Sequence, residues 1–181
     1  MTQDQPPVTP LTEEEEAAWR ALSRAVLVIP RALDADLLES QGLNMTEYSV
    51  LMNLSEAPCR SLRMSELADY VSISVSGLTR VIERLTRQGL VERARAQSDG
   101  RGQVAVLTPA GLDRLQQAWP THLASARRHV MDHLDGIDLT AFARATQPTL
   151  MNELAQSGPQ RVSATHPADN CGAYHKRQWP P

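Results

Sequence analysis

Residues 64–111, MSELADYVSISVSGLTRVIERLTRQGLVERARAQSDGRGQVAVLTPAG, change their apolar period twice over a short span. Met64 to Val71 read as a short helix and Ser72 to Ser74 as a turn. A second helix then runs from about Val75 to Gln88, where Gly89 is placed to end it in a left-handed conformation. Leu78, Val81, Ile82 and Leu85 give that helix an apolar docking stripe, and its opposite face carries hydroxyls, a glycine and arginines. Leu90 to Arg95 and Gln103 to Leu107 then read as strands, joined through Gln97, Ser98, Asp99, Gly100, Arg101 and Gly102, a composition suited to a hairpin tip.

The layout is that of a winged helix-turn-helix, and the rest of the chain reads as helices outside it. Thr12 and Glu15 have capping-box spacing, and Glu13 to Glu16 set negative charge at the positive end of a dipole, so a first helix should start at Glu13. Trp19, Leu22, Val26, Ile29, Leu33 and Leu37 form one stripe on it to about Ser40, with a kink expected at Pro30. A second helix from about Thr46 to Ala57 presents Tyr48, Leu51 and Leu54 and stops before Pro58. Thr108-Pro109 is a strong start for a long helix through Leu112, Leu115, Leu123, Val130 and Leu134, kinked at Pro120. Asp138 should cap a last helix from Leu139 to about Ala155, containing Phe142, Leu150 and Leu154.

The expected fold is mainly α: a winged helix-turn-helix with long N- and C-terminal dimerisation helices and a two-stranded β-wing. Residues 1–11 read as a disordered arm, 12–157 as one domain and 158–181 as a disordered tail. Within the domain, 12–41 and 109–157 are the dimerisation helices and 46–108 the winged lobe. A winged core of about 50 residues is too small to cover three long amphipathic helices, so a second copy of the chain is expected to cover them.

A formal net charge of -3 looks wrong for a nucleic-acid binder, but the first 39 residues hold eight acids against three arginines. From Leu78 to Arg101 six arginines face three acids, and phosphate responds to the local field. No apolar stretch approaches a membrane span and no leader is visible, so a cytoplasmic protein is expected. Two cysteines, Cys59 and Cys171, make no disulfide framework in a chain of 181 residues and are expected as free thiols.

The run SVSGLTRVIERLTRQGLVERARAQSDGRGQVAVLTPAG resembles the MarR family of bacterial transcription regulators, from about Thr12 to Leu154. The resemblance is carried by Ser74-x-Ser76-x-x-Thr79-Arg80, by Leu85-x-x-x-Gly89-Leu90-Val91-x-Arg93, by Asp99-x-Arg101 and by Leu107-Thr108-x-x-Gly111. It implies a homodimer that binds double-stranded DNA, with each helix 75–88 in a major groove and each wing at a flanking minor groove. Arg101 would enter that minor groove while Asp99 braces the wing through an ion pair. Many relatives carry a second arginine where this chain has Gly100.

On the residues themselves, Arg80 and Arg84 lie opposite the apolar stripe and could bridge acceptors on guanine or hold phosphate; the bland alternative is a solvated face with Arg80, Glu83 and Arg87 paired along it. Ser74, Ser76 and Thr79 are short donors near the helix start, Ser74 being equally suited to a cap. Arg93 and Arg95 enter the wing and suit phosphates, which fix register without reading sequence. Trp19, Tyr48 and Trp119 could line a crevice for a small aromatic effector, since aromatic acids and phenols are the usual ligands of relatives, and each also reads as core.

His129 and His133, four apart, would share a helix face in the spacing that can hold zinc, against a reading as surface or dimer-packing histidines. No third ligand is identifiable, so no metal or cofactor is expected. Cys59 follows Pro58 in a loop and reads as an incidental thiol rather than a peroxide sensor. Gly100-x-Gly102-x-x-Ala105 has the letters of a dinucleotide fingerprint but opens a strand, not a helix, and nothing else suggests an enzyme. The leading expectation is a ligand-responsive repressor on a palindromic operator. The alternatives are a redox- or zinc-responsive regulator of the same fold, and a protein-interaction module that has lost DNA binding.

Overall fold

The computed structural model describes residues 8–95 and 103–146. Helix α1 spans Glu13–Gln41 and begins in the expected capping box: Glu15 N–H donates to Thr12 Oγ1 at 3.2 Å and Thr12 N–H to Glu15 Oε2 at 2.8 Å. It continues as one helix through Pro30 and ends at Gly42, whose φ of 60° is left-handed. Helix α2, Met45–Glu56, has its own box between Asn44 and Glu47. A 3-10 turn follows at Pro58–Arg60.

Strand β1, Ser61–Arg63, comes next, then α3, Met64–Tyr70, and α4, Val75–Arg87, capped by Ser74. Strands β2, Val91–Arg95, and β3, Gln103–Leu107, lead into α5, Pro109–His129, capped by Thr108 and unbroken at Pro120. Residues 139–146 form α6, where Asp138 Oδ1 accepts from Thr140 and Ala141 N–H at 2.9 and 3.0 Å. Leu150 and Leu154 lie outside the described residues, as do the wing tip and the arm before residue 8.

Among the described residues the sheet has three strands, the two expected for the wing and a third, β1. Strand β3 is central and pairs antiparallel with β2 (Val91↔Leu107 to Arg95↔Gln103) and with β1 (Ser61↔Val106 to Arg63↔Val104). Three residues carry no period, so β1 is defined only by the partner it finds.

One aliphatic core joins the lobe to the long helices. Leu51 and Leu54 of α2, Leu67 of α3, Leu78, Ile82 and Leu85 of α4, Val91 of β2 and Leu115 of α5 are fully buried. Of the α1 stripe only Leu37 is buried; Trp19, Leu22 and Val26 stand in solvent in the single chain. Leu123, Met131, Ile137, Leu139 and Phe142 are exposed as well. No helix among the described residues is long and apolar enough to cross a membrane.

A polar clasp ties the end of α1 to the end of α5. Asp36 Oδ2 accepts from Ser125 Oγ, from the Arg128 guanidinium at 2.5 Å and stands 2.9 Å from His129 Nε2. The Ser125 hydroxyl and, after it, the hydrogen bonds from Arg128 and His129 outweigh burial and hold the carboxyl down at about 2. A folded-state value below the ordinary carboxylate range stabilises the fold above pH 4 and is lost as pH falls towards 2. Urea midpoints of the native protein and of Asp36→Asn should therefore differ at pH 6 and converge as pH approaches 2; a constant gap would show that Asp36 does not titrate in this way.

Candidate nucleic-acid interface

Helix α4 is held by Leu78, Ile82 and Leu85, all fully buried. With 3.6 residues per turn, that anchorage directs Ser76, Arg80, Glu83 and Arg87 outward in a single line. Ser74 is the N-cap: its Oγ accepts from Gly77 N–H at 3.1 Å and lies 3.1 Å from Ser76 Oγ, leaving the Ser76 hydroxyl at the open end of the helix. Thr79 Oγ1 donates to the Val75 carbonyl at 2.9 Å. Arg80 is exposed and makes no ion pair or hydrogen bond among the described residues, so the alternative pairing of Arg80 with Glu83 does not form.

The other arginines are occupied to different degrees. Arg93 of β2 reaches back to α4, donating to the Thr79 carbonyl at 3.2 Å and standing 3.8 Å from Glu83 Oε1, so it braces the wing strand against the helix. Arg95 is exposed and unpaired among the described residues. Arg87 Nε donates to the Glu83 carbonyl at 3.4 Å. Arg84, exposed on the helix as the sequence indicates, also pairs through Nε with Glu47 Oε1 of α2. Asp99 and Arg101 lie outside the described residues. Strand β3 opens at Gln103, so the glycines before it precede a strand, as the sequence indicated.

The three aromatic candidates separate. Tyr48 of α2 is fully buried and stacks on His122 of α5, ring centroids 4.4 Å apart, and Trp119 is tilted against the same imidazole at 6.1 Å. Trp19 is exposed and outside this stack. Burial, with Glu56 nearby, pushes the Tyr48 phenol up, and burial pushes His122 down. The Tyr48 hydroxyl, His122 Nδ1 and Ser23 Oγ are buried without a hydrogen-bond partner. The sequence reading overlooked His122, although it lies one turn beyond Trp119.

Two further expectations are corrected. Helix α5 ends at His129, and Val130 turns away at φ -133°, ψ -67°, so His133 falls in a 3-10 turn and the two imidazoles do not share a helix face. Among the described residues no group of three or more His, Cys, Asp or Glu stands together to hold a metal. Cys59 is disulfide-bonded rather than a free thiol. Its exposed place on the 3-10 turn, at φ 54°, leaves the sulfur accessible for such a bond; the chain's other cysteine, Cys171, lies outside the described residues.

The MarR family model matches residues 41–102, from the end of α1 to the wing. The crystal structure of AbsC, a MarR family transcriptional regulator from Streptomyces coelicolor, superposes with a TM-score of 0.72 at 38% identity, over 81% of this chain and 98% of that one. The chain belongs to the MarR family. Sco3205, a MarR family transcriptional regulator from the same organism solved in complex with DNA, is 32% identical with a TM-score of 0.73, over 82% of this chain and 92% of that one. The transcriptional repressor MprA of Escherichia coli K12 is 30% identical over 84 residues, 46% of this chain, which thus spans about half the length of that curated relative (48%). These relatives are transcription regulators, and the mainly helical MarR fold with its small antiparallel sheet is the fold described above.

Proposed function

We propose that the protein is a homodimeric, sequence-specific DNA-binding repressor, with α4 of each subunit in a major groove of a palindromic operator and each wing at the adjoining minor groove. The observation that carries this reading is the outward line of α4, where Ser76 and Arg80 stand exposed and Arg80 is unpaired on a helix anchored by three buried aliphatic residues. A guanidinium held in this way can fork onto the O6 and N7 of guanine. Arg95, and Arg101 at the wing tip, add sequence-independent hold on phosphates and the minor groove, with Arg93 and Asp99 bracing the wing. Sco3205, a relative at 32% identity, has been solved on DNA, which supports the same use of this fold. Residues 12–41 and 109–157 serve as the dimerisation region and 46–108 as the DNA-binding lobe, in a cytoplasmic regulator without enzymatic activity.

Response to a small aromatic effector is the finer part of the reading. Its support is the Tyr48, His122 and Trp119 stack between α2 and α5, where buried polar atoms without partners would gain from a ligand's hydroxyl or carboxylate. DNA selected by the protein from a random-sequence pool provides the test. Arg80→Ala should cost about 1–3 kcal/mol on the selected duplex and flatten its preference at one base pair of each half-site, while native binding falls steeply with salt. Native-level affinity of the variant for the selected duplex, with its preference over a scrambled duplex unchanged, would remove Arg80 from the interface. Benzoate added to the same assay tests effector release.

A further inference from the structure

Glu47 is the one buried acid among the described residues, and its place is peculiar: it lies in the first turn of α2, yet its charge is met from α4. A carboxylate taken from water needs partners for both oxygens. Oε2 accepts from the Asn44 N–H at 3.1 Å, while Asn44 Oδ1 accepts from the Glu47 N–H at 2.8 Å, which closes the cap of α2. Oε1 makes no aligned hydrogen bond, and its charge is met by the guanidinium of Arg84 from α4 as an ion pair. Between them, Met45 N–H donates to Asp34 Oδ1 of α1 at 2.7 Å. Four consecutive residues, Asn44 to Glu47, thus join α1, α2 and α4.

Arg84 lies to one side of the line Ser76, Arg80, Glu83, Arg87, so drawing it towards α2 does not remove a group from the middle of the outward face. It does tie the flank of α4 to the first turn of α2. We propose that Glu47 is a positioning residue: with Arg84 it forms a strut that sets the angle of α4 relative to the dimerisation helix α1, and hence the separation of the two DNA-reading faces, without Arg84 itself reading DNA. This rests on the DNA reading above.

Glu47→Gln is the informative change, because glutamine can still close the cap while losing the charge that holds Arg84. On the duplex selected by the native protein, Glu47→Gln and Arg84→Met should each weaken binding about ten-fold, and the double variant should be no weaker than either single one, since one interaction is removed in all three. Duplexes with one base pair added or removed between half-sites should recover part of the loss in the variants and none in the native protein. A merely structural role would not move that spacing preference. The strut is overturned if Glu47→Gln binds as tightly as native or tighter, or if Arg84→Met costs much more than Glu47→Gln, which would make Arg84 a DNA contact. Native protein that selects no DNA sequence would fell the DNA reading, and the strut with it; ordinary selection with an unmoved spacing preference fells the strut alone.

Discussion

Gly111→Ala should destabilise the protein by about 3 kcal/mol or more, lowering Tm by roughly 6–12 °C for a chain of this length. The reason lies where the wing returns to α5. Thr108 caps α5 by accepting from Gly111 N–H at 3.0 Å, and the same hydroxyl donates to the carbonyls of Gly89 at 2.7 Å and Leu90 at 3.0 Å. That stitch presses the first turn of α5 onto the residues leaving α4. A Cβ on Gly111 would collide with the Leu90 carbonyl oxygen, with Leu107 Cδ1 at 2.7 Å and with the Leu90 carbonyl carbon at 3.0 Å. Two of the three are backbone atoms of Leu90, whose carbonyl also accepts from Thr108 N–H at 3.1 Å, and cannot swing aside. Gly42 is the matched control: it has a left-handed φ of 60° but open space around it, so Gly42→Ala should cost only about 1 kcal/mol of backbone strain. Thermal melting followed by circular dichroism compares them, and a Gly111→Ala melt within a degree or two of native would show that α5 can lift from the sheet at no cost.

The same glycine shows which parts of the fold were legible in the sequence. Thr108-x-x-Gly111 stood out there as a helix start and as part of a family pattern, but the need for glycine comes from a backbone more than twenty residues earlier, which no local signal announces. Elements with their own period or cap, such as α1 with Thr12 and Glu15 or α4 with Ser74 and Gly89, appear within a residue or two of where the pattern puts them. Strand β1 was invisible because three residues acquire their identity only by pairing with β3.

The site divides along the same line. The outward setting of Arg80 follows from helix geometry alone, whereas the capture of Arg84 depends on Glu47, far away in the chain and explicable locally as a capping residue. His129 was legible as a partner of His133 only if α5 continued, and it was the Asp36 clasp, a long-range contact, that gave His129 its neighbour. Charges reach across the fold without leaving a period in the sequence.

Val26→Glu should separate the proposed dimer and, through that, reduce operator affinity by about a hundred-fold or more, although Val26 touches neither DNA nor the lobe core. Trp19, Leu22 and Val26 follow one another at i, i+3 and i+7 on α1, all exposed in the single chain, with Trp19 60% and Val26 63% accessible. Leaving such a stripe in water is unfavourable, and closing it against a second copy removes it from solvent at both subunits. A carboxylate introduced at that place would be buried without a partner on both sides of a two-fold interface, a cost of several kcal/mol per ion that the lost apolar contact cannot offset. The fold of each subunit should survive, because Val26 contributes nothing to the core around Leu37 and Leu115. DNA binding would not: two tethered lobes engage their half-sites at high effective concentration, and two separate lobes must each bind alone. Sedimentation velocity on the native protein and the variant reads the assembly directly, with native protein expected at twice the chain mass of 20.0 kDa and Val26→Glu at that mass. Single chains in the native sample, or an intact dimer of Val26→Glu, would place the subunit contact on a different face of the molecule.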